Sequence, residues 1–478
     1  MRLTLQNDAS AHALIAAAFL AAAILLGGGG NSSPGAEMMV QLLCAGAALA
    51  WLWAPSPNDG IPRPTDRFAW VLCALVLALP LLQLIPLPPA IWTAAPGQES
   101  RVAALSLVGA ADSWQPLSQS PPRTLASLLA MVPALFVFLA TASLPARQRL
   151  LIVAAIAAIV LASALFGAAQ LSLGSAAPYF YTESHRPYLL GFQANRNAQA
   201  DVLLIGALAA AFCLMPSLAD RTPVDGGKRR RGLIASPRSA AILLSALLFL
   251  LVLAVILTGS RAGIALLAPT LLAIWFMLRP AMVNLGLFRW APAAIAALLL
   301  LAVGLLALQG SNTALGRVAQ RFAFEGDFRT ELWEDTRFAI EQTWPLGVGL
   351  GGFQPAMMAA ERLEVVDQTR PVRAHNDYLE LTLEGGLPAI VLLCLIAALL
   401  GWRALRMWQR NPRERPTIVL SFTILFIVGA HSLVDYPLRS MALACLTGAG
   451  AGLLMAAPRL EGASPTMTAR RKLIGDQA

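Results

Sequence analysis

Long apolar runs, each closed by a short polar or proline-rich break, recur from one end of the chain to the other. Such runs are long enough to cross about 30 Å of hydrocarbon as helices, which satisfy every backbone polar group within the segment. The pattern predicts spans near 11–27, 37–53, 68–86, 122–142, 148–172, 198–216, 238–258, 262–278, 290–308, 377–400, 416–434 and 438–456. Only Thr258-Gly259-Ser260-Arg261 separates the seventh from the eighth, polar enough to mark a turn at a membrane surface. The expected fold class is an all-α integral membrane protein with about twelve transmembrane helices.

Between spans, the stretch 309–376 is too long for an idle connector. Within it, Leu332, Trp333, Ala339, Ile340 and Trp344 recur near helical spacing, with Glu334, Asp335, Arg337 and Glu341 between them. This predicts a short amphipathic helix lying on the membrane surface or over the mouth of the bundle, ended by Pro345. The following Gly347-Val348-Gly349-Leu350-Gly351-Gly352-Phe353 has the letters of a dinucleotide fingerprint. No strand precedes it and no βαβ unit surrounds it, so a flexible or tightly turned loop is the default.

Composition agrees with lipid as solvent. Hydrophobic residues make up 57% and charged residues 13% of the 478, against roughly 25% charged in a soluble domain. An even number of spans puts both termini on one side. With that side cytoplasmic, the inside segments carry most of the 35 basic residues, the positive-inside asymmetry. The loop 309–376 then lies outside. The net charge of +9 follows largely from the same asymmetry, and Lys228-Arg229-Arg230-Arg231 reads as a cytoplasmic loop against anionic headgroups, with no nucleic-acid partner expected. The first span reads as a retained signal anchor. Cys44, Cys73, Cys213, Cys394 and Cys445 all fall in predicted spans without ligand-like spacing and read as small buried hydrophobes.

Chemistry should then sit in the outer segments. Four constellations stand out there. Gly191-Phe192-Gln193-Ala194-Asn195-Arg196-Asn197 offers either interfacial anchoring or a fork of donors to an anionic head group. Gly259-Ser260-Arg261-Ala262-Gly263 surrounds one arginine with small residues, which admit a ligand or merely a snorkelling side chain. Arg329 opens the loop helix as an ion-pair partner or a diphosphate contact. Arg373-Ala374-His375-Asn376-Asp377-Tyr378-Leu379-Glu380, continuing to Glu384-Gly385-Gly386, puts a histidine at the head of a helix re-entering the membrane.

Of the four histidines, His12 is near the cytoplasmic end, His185 is in an outer loop, and His431 reads as a satisfied core polar group. They form no pair at metal-binding helical spacing, and the outer side has no H-E-x-x-H or D-x-D, so neither metal nor cofactor is expected. Metal-free chemistry on a diphosphate needs arginines for the developing charge and a base of the class that titrates near neutrality. The reaction that suits these groups is glycosyl transfer from a lipid diphosphate, with His375, Arg261 and Arg196 catalytic. Asn195, Asn197, Ser260, Arg329, Arg373, Asn376 and Tyr378 are candidate substrate contacts.

At these residues the chain resembles the O-antigen ligase and O-antigen polymerase superfamily of bacterial membrane glycosyltransferases. The likeness rests on Phe192 with Asn195-Arg196-Asn197, on Gly259–Gly263, on Pro345-Leu346-Gly347-x-Gly349-x-Gly351, and on His375-Asn376-Asp377-Tyr378-Leu379 with Glu384-x-Gly386. Pro86-Leu87-Pro88-Pro89 and Pro116-Leu117-Ser118 with Pro121 and Thr124 are similar to segments of many members. In the ligase pattern H-[N/S/Q]-x9-G-x-x-[G/T/Y], the last position here is Ala389. The resemblance divides the chain into N-terminal helices 1–184, a ligase-like core 185–435 containing the periplasmic loop 309–376, and a last helix with cytoplasmic tail 436–478. It implies an inner-membrane enzyme working at its periplasmic face without metal. The donor would be a glycan on undecaprenyl diphosphate, and the acceptor a lipid A–core sugar, another lipid-linked glycan or a protein hydroxyl. A transporter would instead favour paired broken helices and midplane charges.

Overall fold

The computed structural model describes residues 10–29, 33–55, 60–181, 185–219, 237–284, 329–364, 366 and 370–456. The principal helices are α1 (Ala11–Leu26), α2 (Pro34–Trp53), α3 (Arg67–Leu84), α4 (Glu99–Ser106), α5 (Pro121–Ser143), α6 (Ala146–Leu173) and α7 (Arg196–Ala219). They continue as α8 (Pro237–Leu257), α9 (Arg261–Asn284), α10 (Arg329–Thr343), α11 (Phe353–Ala360), α12 (Asp377–Arg410), α13 (Arg415–His431) and α14 (Met441–Met455). Among the described residues, eight helices are long and apolar enough to cross a membrane, and α1 and α14 are shorter apolar helices. Each predicted span falls on a helix except that at 290–308, which lies outside the described residues, as do 309–328 of the long loop and the basic run Lys228–Arg231.

The bundle is built around α7, 72% of whose apolar window is buried, against 17% for the peripheral α2. Helices α6, α8, α9 and α13 pack around it. Without a hydrophobic force between helices in lipid, close approach of backbones through small residues supplies the packing. Gly263 of α9 lies against Ala200 of α7, Gly206 of α7 against Val160 of α6, and Gly448 of α14 against the Ala134 carbonyl of α5. The cysteines follow the expectation only in part: Cys44, Cys73 and Cys445 are buried, but Cys394 is exposed on the flank of α12.

One end of the bundle carries the irregular structure. Pro86–Leu87 (β1) pairs antiparallel with Gln115–Pro116 (β2), a small exception to the all-α expectation. Arg101 of α4 ties this ribbon down through the Pro116 and Ser118 carbonyls at 2.9 and 3.1 Å. The loop helix is present as α10, which Arg329 opens.

Helix α12 departs from a simple span. Gly386 has φ +57°, ψ −149°, and Pro388 has no N–H to give, so the helix breaks between its first two turns and the rest. The glycine-rich run fills the break. Val348 and Gly349 donate to the Leu383 and Glu384 carbonyls at 3.0 and 2.9 Å, and Leu387 donates to the Pro345 carbonyl at 2.9 Å. Gln83 of α3 joins both sides, donating to the Glu384 carbonyl at 2.8 Å and accepting from Leu350 N at 2.9 Å. A Cβ on Gly386 would run into the Pro345 carbonyl. The dinucleotide-like letters are thus a tightly turned wedge that satisfies a broken helix.

Candidate active site

His375 precedes α12 and has φ +50°, the left-handed region that a β-carbon disfavours. Its neighbours hold it there. The Asn376 side chain caps α12, accepting from Tyr378 N and Leu379 N at 3.0 and 3.1 Å. On the other side, Trp333 of α10 donates its indole N–H to the Ala374 carbonyl at 2.8 Å. Ala374 N in turn donates to Glu380 Oε2 at 3.1 Å.

His375 Nδ1 lies 3.1 Å from Asp435 Oδ1. Asp435 was not singled out in the sequence, because 60 residues separate it from its partner. Burial pushes the Asp435 carboxyl up. Hydrogen bonds from His375 and Asn197 and the neighbouring His375 and His431 imidazoles outweigh that and hold it at about 2. An ionised carboxylate only accepts, so Nδ1 carries the hydrogen and Nε2 is the basic nitrogen. The edge of the His375 ring meets Tyr436 with centroids 4.9 Å apart.

The Asn-Arg-Asn constellation reaches the same carboxylate. Asn197 Nδ2 donates to Asp435 Oδ2 at 2.6 Å, and Asn195 Nδ2 stands 3.4 Å from the same oxygen. Between the asparagines, the Arg196 guanidinium lies over the Tyr188 ring, 4.7 Å from its centroid. Tyr188 lies against Gly259, where a Cβ would come within 2.7 Å of the ring; Gly259 also has φ +65°. Ser260 Oγ accepts from Gly263 N at 3.1 Å and caps α9. Arg196 and Arg261 are therefore the first residues of α7 and α9, neighbouring helices whose positive N-terminal ends lie at this end of the bundle.

Other candidates are engaged structurally. Arg373 Nη1 is paired with Glu380 Oε1 at 2.6 Å, and the Tyr378 hydroxyl donates to the Gly429 carbonyl at 2.7 Å. Arg439, which the sequence did not suggest, reaches Glu380 and Glu384 at 3.0 and 2.8 Å and stands 3.9 Å from Asp377. Burial pushes the Arg439 guanidinium down, but these three carboxylates more than restore it. Arg329 opens α10. Among the described residues, no group of three or more His, Cys, Asp or Glu could hold a metal ion.

A carboxylate-oriented imidazole, two arginines at helix starts and a buried ionic clamp can remove a proton from a hydroxyl beside an anionic leaving group. Comparison with curated proteins finds no match. Residues 246–394 match the family model described as O-antigen ligase; Arg261 and His375 lie inside that stretch, and Arg196 and Asp435 outside it. Over residues 246–394 the chain is therefore similar to the O-antigen ligase family.

Proposed function

We propose that this protein is a membrane glycosyltransferase that moves a glycan from an undecaprenyl-diphosphate donor to an acceptor hydroxyl at the periplasmic face of the inner membrane. Both termini would be cytoplasmic, and about twelve helices would span. The observation that carries this reading is the His375–Asp435 contact, which makes Nε2 a base beside the helix starts that bear Arg196 and Arg261. His375 takes the proton of the acceptor hydroxyl as its oxygen attacks the anomeric carbon. The bond to the diphosphate oxygen breaks, and the two guanidiniums and helix N-termini hold the departing charge. No metal is assigned a role, because the carboxylates Asp377, Glu380 and Glu384 already face Arg439.

A ligase differs from a polymerase only in acceptor: a lipid A–core sugar against the end of another lipid-linked glycan. We assign the ligase reaction, in keeping with the O-antigen ligase match. A surface-glycan gel on a deletion strain, complemented with the wild type or with Arg261→Ala, tests this. Lipid-linked polymer left unattached, and rescued only by the wild type, is the expected result. Single repeat units in place of a ladder would make the protein a polymerase, and unchanged glycans in all strains would overturn the transferase reading.

A further inference from the structure

A second histidine–carboxylate pair lies one turn from the first, and the transfer chemistry does not use it. His431, the last residue of α13, has Nδ1 2.6 Å from Asp201 Oδ1 of α7, with side chains 1% and 0% exposed. Asn197 and Asp201 are four residues apart on α7 and share one face. His431 and Asp435 are likewise four apart, and Asp435 N donates to the His431 carbonyl at 3.0 Å. Two rungs of 2.6 Å therefore join the same two segments: Asn197 to Asp435 above, and Asp201 to His431 below.

The rungs are crossed. The carboxylate comes from the α13 end in one and from α7 in the other. A slip of α7 by one turn would oppose Asp201 to Asp435, two buried carboxylates, so the ladder admits one register. That register places Arg196, beside Asn197, relative to His375, held by Asp435. An ionisable pair this deep adds little stability over apolar residues of equal volume. Asp201 Oδ2 and His431 Nε2 also make no hydrogen bond among the described residues. Packing alone does not account for the pair.

We propose that Asp201 and His431 are positioning residues for the transfer reaction, locking α7 to α13 so that the leaving-group arginine and the base stand at fixed separation. The proposal rests on the roles given above to Arg196 and His375. It is tested in membrane vesicles supplied with lipid-linked glycan from the deletion strain, measuring kcat and donor KM. The double variant Asp201→Leu with His431→Met packs the site without a rung. Its expected kcat is about 10²-fold down, the scale of a 1 Å misplacement, with donor KM within about threefold and thermal stability kept. Asp201→Asn retains an acceptor facing Nδ1 and is expected to keep most of the wild-type kcat. A stable apolar pair with wild-type kcat would overturn the proposal. Should that variant fail to insert, Asp201→Asn with His431→Leu, which also removes the rung and leaves no buried charge, decides in its place: a folded protein with normal kcat and KM has the same meaning. His375→Ala in the same vesicles separates the two levels. If it is inactive while the apolar pair is fully active, only the positioning role falls; if it is active, the base assignment falls and the proposal with it.

Discussion

The indole N–H of Trp333 and the carbonyl of Ala374 are 2.8 Å apart, and this bond joins the loop helix α10 to the residue before His375. It is one of the restraints on a histidine at positive φ. Trp333→Phe keeps an aromatic ring, though a smaller one, and removes the donor. It is expected to lower stability by about 1 kcal/mol and transfer by about tenfold, read by thermal melting and glycan transfer on the same preparation. Full activity with an unchanged melting curve would detach α10 from the site.

Asp435 fixes the sign of the pH dependence. A carboxyl lowered to about 2 contributes stability fully above the unfolded value of about 3.9 and loses it as pH falls through the folded value. A fall in rate on acidification that is complete above about pH 4 is therefore not the titration of Asp435. Asp435→Asn is expected to cost about 10²- to 10⁴-fold in rate, by analogy with the carboxylate of the serine-protease triad. An unchanged pH–rate profile in that variant would remove Asp435 from the mechanism.

Lysine should not replace the arginines at the helix starts. Arg196→Lys gives up the planar fork and its stacking on Tyr188, and Arg261→Lys gives up its planar fork. Each is expected to lower kcat/KM by about 10²-fold, with the loss visible in kcat. Equal activity of both lysine variants would mean that charge without geometry suffices.

Arg439 neutralises a carboxylate cluster at the broken end of α12. Arg439→Met would remove the cation paired with Glu384 and, among the described residues, leave Glu380 paired with Arg373. The expected cost is about 3–5 kcal/mol, seen as loss of folded protein in detergent before any catalytic effect. A variant of wild-type stability would show that the cluster is screened by solvent.

Gly386→Ala tests the wedge. Its φ of +57° already disfavours a side chain, and the new Cβ would meet the Pro345 carbonyl. Strain of about 1–3 kcal/mol is expected from the backbone alone, with lower melting temperature and weaker protection of Val348 and Gly349 amides from exchange. Unaltered protection at those amides would separate the wedge from the helix break.

The described helices, the break at Thr258–Arg261, the helix of the long loop and the chemical candidates His375, Arg196 and Arg261 could be read along the chain. Each depends on local hydropathy or on residue types close in sequence. The glycine run could be read only as a turn, because its partners Leu383, Glu384 and Gln83 lie on other helices. His431 read as a satisfied core group, and its partner Asp201 carried no signal among the apolar residues of α7.

By itself, then, the sequence determined that helices in lipid would carry a histidine and arginines in their connecting segments, because burial in hydrocarbon constrains every residue of a span. Only the tertiary structure decided that Asp435 orients His375, that Asn197 holds Asp435, and that Asp201 and His431 repeat the contact one turn away. Those bonds join residues 60 to 238 positions apart. Hydrogen bonding acts over about 3 Å of space, whatever the separation along the chain.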